Sequence, residues 1–66
     1  MKLLFIMEGN DQPLYEMELE FTPKPKEFII LKSEKSVVNY IVDRVLHEID
    51  LEDNNKVKTY VVIERA

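Results

Sequence analysis

The chain has 66 residues, a net charge of −4 and no cysteine. It is too short for more than one domain, since domains typically run to ~100–150 residues, and it cannot form a two-lobed enzyme cleft. The missing cysteines exclude a disulfide framework, a thiolate metal site and a cysteine nucleophile, and one histidine cannot make a histidine-rich metal site.

An apolar fraction of 45% with 33% charged residues describes a folded domain rather than a disordered one. A domain this small buries only ~60% of the surface its unfolded chain exposes, so most apolar stripes are expected to be core. The opening run, Leu3 to Met7, stops at Glu8. It is shorter than the ~7–15-residue core of a signal peptide and far short of the ~20 residues of a membrane span. A cytoplasmic protein without membrane contact is the expectation.

Leu3 to Met7 reads as a strand, closed by the turn cluster Glu8-Gly9-Asn10-Asp11 that holds the only glycine. After Pro13, Tyr15, Met17, Leu19 and Phe21 alternate with Glu16, Glu18 and Glu20. Period two predicts a strand with one dry and one wet face, paired with the first as an antiparallel hairpin. Thr22-Pro23-Lys24-Pro25-Lys26 stops it, because proline cannot donate to a ladder. Phe28 to Leu31 is a third short strand, and Ser33-Glu34-Lys35-Ser36 turns again.

Val37 to Asp50 admits two readings. Val38, Ile41, Val42, Val45, Leu46 and Ile49 have the spacing of an amphipathic helix face. The composition opposes this, because Val37-Val38-Asn39-Tyr40-Ile41-Val42 is poor in helix formers and, Asn39 apart, rich in strand formers. Lys35 before the segment and Glu48, Asp50, Glu52 and Asp53 near its end also oppose a helix macrodipole. A strand with a β-bulge near Asp43-Arg44 puts Tyr40, Val42, Val45 and Ile49 toward the core and Asp43 and Glu48 outward. Val57 to Ile63 is the final strand, entered through Glu52-Asp53-Asn54-Asn55-Lys56 and paired with Val37 to Asp50 as a hairpin.

This order resembles short phage- and prophage-encoded all-β proteins with an SH3-like barrel. The matching residues are the opening hairpin, Phe21-Thr22-Pro23 leading to Glu27-Phe28-Ile29-Ile30-Leu31, then Tyr40-Ile41-Val42, Val45 to Asp50, and Tyr60-Val61-Val62-Ile63-Glu64. A Gly-Asp-like turn is usual in such proteins before the third strand; Lys26-Glu27 stands here instead. The resemblance implies a fold and a mobile-element origin but no activity. The expected fold is all-β, a small five-stranded SH3-like barrel over residues 1–66. The alternative is an α+β antiparallel sheet with one helix at about residues 36–50.

Glu16, Glu18 and Glu20 are the sharpest surface feature. Carboxylates at period two stand about 6–7 Å apart on one strand face. Such a row suits a solvated face that discourages edge aggregation, or an acidic inhibitor that occupies a nucleic-acid-binding protein's site. Asp50, Glu52 and Asn54 fit the first positions of a calcium loop, but Asn55 replaces its glycine and Val61 its closing glutamate, so an acidic turn is expected. No nucleophile has an identifiable base, and one glycine cannot make a phosphate cradle; no catalytic, cofactor or metal residues are expected. Lys24, Lys26, Lys32 and Lys35 form a local basic edge in an acidic chain. Without arginine or a glycine-aromatic motif beside it this is expected to be a solubilising loop, the alternative being the surface of a nucleic-acid-binding small barrel.

The first and third strands are apolar on both faces, while a small barrel has one interior. One face of each is therefore expected outside, with Leu4, Ile6, Ile29 and Leu31 as candidate partner-binding residues. The functional expectation is a non-catalytic interaction module, binding itself, for instance as a dimer, or a host protein.

Overall fold

Five strands form and no helix. The computed structural model describes all residues, Met1–Ala66. The strands are β1 (Lys2–Met7), β2 (Tyr15–Glu18), β3 (Phe28–Lys32), β4 (Val37–Asp50) and β5 (Lys56–Arg65). They make one sheet in the order β2-β1-β5-β4-β3, curled into the half-barrel of a small SH3-like all-β fold. The segment with two readings is therefore a strand throughout, and no helix long and apolar enough to cross a membrane exists.

β5 is the centre of the sheet. It pairs antiparallel with β4 and parallel with β1, whose Phe5 lies opposite Val61. A strand with neighbours on both sides and cover on both faces needs a continuous apolar run. Val61, Val62 and Ile63 supply it, and all three are buried. The concave core holds Leu3, Phe5, Tyr40, Val42, Val61 and Ile63, with Met17, Leu19, Ile29, Leu31, Val38 and Val45 packed around it. Each fully buried aliphatic or phenyl side chain contributes roughly 1.5–3 kcal/mol.

The bulge falls at Asp43. Val42 is opposite Ile63 and Arg44 opposite Val62, which leaves Asp43 without a partner. The extra residue keeps Val42 and Val45 on the concave side although they are three apart, which is how a strand imitates helical spacing here.

Three expectations need correction. Ile49 does not reach the core: it is 55% exposed. β1 pairs with β5 only from Thr59 onward, so Glu48–Asp50 and Lys56–Lys58 continue as a two-stranded ribbon with no third strand behind it. This ribbon also leaves Val57 and Leu51 exposed. The second correction concerns β2, which ends at Glu18 rather than Phe21. The ladder with β1 ends at Lys2 and Glu18, followed by one bond from the Leu19 N–H to the Met1 carbonyl. The third concerns β3. Ile29 and Leu31 pack against the core, and the outward pair is Phe28 and Ile30.

The turn before β3 is made without glycine. Lys26 adopts φ 73°. Its N–H donates to the Val42 carbonyl at 2.8 Å, and the Lys24 N–H donates to the Glu27 carboxylate. Those bonds hold Lys26 in a left-handed conformation that costs a residue with a Cβ roughly 1–2 kcal/mol.

Candidate interaction surface

β3 is an edge strand with its backbone unpaired on one side. Val42 donates to the Glu27 carbonyl and Ser33 to the Ser36 carbonyl, each at a pair in register with the β3–β4 ladder. Hydrogen-bonded pairs alternate along an antiparallel ladder. Ile29 and Leu31 therefore bond β4, and the N–H and C=O groups of Phe28, Ile30 and Lys32 face the open edge. The same three residues turn their side chains outward, leaving Phe28 70% and Ile30 64% exposed. Ile41 lies beside Phe28 in register and extends the apolar strip onto β4.

β2 is the opposite edge and is chemically different. The Leu19–Met1 bond fixes the alternation, so the backbone groups of Glu16 and Glu18 face outward. The carboxylates beside them blunt the edge. Lys2 Nζ lies 2.5 Å from Glu16 Oε1, and the Met1 ammonium lies 2.8 Å from Glu18 Oε1. The Glu16 carboxylate raises the Lys2 pKa, and the ammonium lowers that of Glu18. Two of the three glutamates in the acidic row are thus compensated by the chain's own cations. Glu20 lies past the strand end and makes no ion pair.

The curl brings these two edges face to face across the open side of the half-barrel. Between them lies an apolar hollow of about 330 Å³, with Met17, Leu19 and Phe21 on one lip and Phe28, Ile29 and Leu31 on the other. A second hollow of about 500 Å³ continues toward Tyr15, Ser33 and Ser36 and shares Met17, Ile30 and Leu31 with the first. No Cα of β2 comes within 8 Å of a Cα of β3. The edges are therefore not bonded to each other, and the barrel stays open.

On the convex face, Leu4 and Ile6 of β1 are half-buried. Val62, also on this face, is only 3% exposed. Ile6 flanks it on one side and Arg44 on the other. Arg44 also reaches Glu8 in the turn after β1, at 2.7 Å. The carboxylates of Glu8 and Asp43 raise the Arg44 pKa further.

The remaining polar motifs resolve into local structure. Asp50 Oδ1 accepts from the N–H groups of Glu52 and Asp53, and Asn54 and Asn55 take φ 55° and 57°. This is an aspartate-ordered turn at the tip of the β4–β5 ribbon. No group of three or more His, Asp or Glu side chains is placed to hold a metal ion. His47 Nδ1 lies 3.0 Å from the Thr59 hydroxyl across the β4–β5 pair. Lys24, Lys26, Lys32 and Lys35 are all exposed around the ends of β3.

The exposed apolar side of β3 is half visible in the sequence. Surplus apolar character in Phe28 to Leu31 was the signal, but alternation alone does not say which face is inward. Pro23 could have helped, because it is buried against the cleft and fixes how the chain enters β3. No family model, characterised protein or solved structure matches the chain.

Proposed function

We propose that this chain is a non-catalytic protein-interaction module that engages its partner, a host protein or a second copy, with the exposed side of β3. One observation carries this: Phe28 and Ile30 are 70% and 64% exposed on an edge strand whose adjoining backbone groups are unpaired. Large apolar side chains beside a free edge are an aggregation liability that natural sheets normally blunt. β2 is blunted by glutamates along its length, whereas on β3 the only charge is Lys32 at the strand's end and Phe28 and Ile30 stand bare. The resemblance to phage and prophage proteins supports a mobile-element origin, which the genes flanking the coding sequence can test.

The double variant Phe28→Ser, Ile30→Ser tests the reading. Both side chains point outward, so the fold should survive, as circular dichroism can verify. Any self-association seen by sedimentation, and any partner captured by the unaltered chain, should be lost. A variant that keeps every association of the parent sinks the proposal.

A further inference from the structure

We infer that the partner contributes an extended segment, alternating apolar and basic residues, which adds to β3 as a new antiparallel strand in the cleft between β3 and β2. This deepens the interaction reading above and rests on it.

The open cleft that β2 and β3 share is the first support. Neighbouring strands stand ~4.8 Å apart, so a single strand between two others needs them ~9.6 Å apart. β2 and β3 are more than 8 Å apart, yet both line the same hollows. A strand laid on β3 therefore lies in hollows that β2 also lines. A folded sheet edge would bring a second strand of its own toward β2, which already lines these hollows, so a lone extended segment suits them better.

Hydrogen bonding is the second. Phe28, Ile30 and Lys32 present N–H and C=O groups in the alternation that an added antiparallel strand uses. The third is side-chain chemistry. Every other residue of the added strand turns inward, onto Met17, Leu19, Ile29 and Leu31, and must be apolar. The residues between turn outward beside the β2 lip, where Glu16, Glu18 and Glu20 stand and Glu20 has no cation. Lysine or arginine suits those positions, its aliphatic stem lying along the outward Phe28 and Ile30 and its charge reaching toward the β2 glutamates.

The test uses the full chain and a capped heptapeptide alternating valine and lysine. Binding is followed by amide hydrogen exchange and NMR. The amides of Phe28, Ile30 and Lys32 should gain protection, and replacing lysine by glutamate in the peptide should weaken binding about tenfold. Methylating alternate peptide nitrogens should abolish it. Ile30→Pro, which deletes an edge N–H without touching the β4 ladder, should weaken binding at least as much, and the methylated peptide decides the matter if that variant fails to fold. Equal binding of the glutamate or methylated peptide overturns the inference. So does a dimer of the free protein that protects the same three amides, since the occupant is then a second copy. Movement of Phe28 and Ile30 side-chain resonances without amide protection overturns strand addition alone. If no Phe28 or Ile30 resonance moves, and the double serine variant also keeps every association, the interaction reading falls with it.

Discussion

Arg44 reaches Glu8 across the flank of Val62. The guanidinium leaves the bulge of β4, and its partner carboxylate leaves the turn after β1. Between those strands runs β5, so the pair joins two segments that share no ladder. Val62 lies in register between Ile6 and Arg44 and is nearly sealed, although it points to the convex side. Val62→Ala should therefore behave as a core substitution and cost about 1–3 kcal/mol in urea denaturation. A loss indistinguishable from that of an exposed strand residue contradicts this account.

Removing the bulge should do less damage than removing a core side chain, because the bulge residue itself has no partner. Deleting Asp43 leaves Val42, Arg44 and Val45 consecutive opposite Ile63, Val62 and Val61, a regular ladder in which Val45 still faces inward and Arg44 outward. Val45→Ala should leave a folded protein weakened by about 1–3 kcal/mol. The deletion should keep a cooperative unfolding transition; its loss shows that Asp43 does more than fill the bulge.

Lys26→Gly should stabilise the protein by about 0.5–1 kcal/mol, because glycine takes the left-handed conformation without the Cβ clash, less the entropy it gains when unfolded. The measurement is a shift of the denaturation midpoint at unchanged slope. A lower midpoint shows that Lys26 is not strained.

The Met1 ammonium holds the Glu18 carboxyl below the usual carboxylate range. A group depressed in the folded state contributes stability above its unfolded pKa and loses it as pH falls through the folded value. The pair should thus support the fold at neutral pH and fade on acidification below about pH 4.5. Acetylating the amino terminus should return Glu18 to its ordinary titration, read from its side-chain NMR shifts. An unmoved midpoint after acetylation removes the amino group from this role.

Ile49→Ala on the two-stranded ribbon should change stability by no more than about 0.5 kcal/mol. Val42→Ala, on the same strand but within the core, should cost about 1–3 kcal/mol. Equal losses contradict the projecting ribbon.

The sequence and the fold agree where the pattern is local. The β-branched stretch before Asp43 and the poor charge placement for a helix were enough to identify β4 and its bulge. Alternation from Tyr15 to Glu18 was enough for β2 and its hairpin with β1. What escaped depends on which strand lies beside which. Ile49 carries the same alternation as Val45, and only the starting point of β1 on β5 separates a core residue from a ribbon residue. Ile29 and Phe28 differ in facing because of the Lys26 turn, and no residue preference at Phe28 to Leu31 encodes that. The parallel contact of β1 with β5 left one trace, apolar runs in both strands that serve two covered faces, but such a trace does not name the partner strand.

The central place of β5 also sets the order in which the molecule can assemble. Through Asn55 the chain can offer only two separate antiparallel pairs, β1 with β2 and β3 with β4, and each has a bare inner edge. Neither holds enough apolar area to persist alone in water. Only when Lys56–Arg65 enters between them do the early and late parts of the chain share a ladder. The decisive contacts thus join residues more than fifty positions apart, as Leu3 and Thr59 are. Closing so long a loop comes before any reward from packing, which places this small protein among the millisecond-to-second folders rather than the microsecond ones.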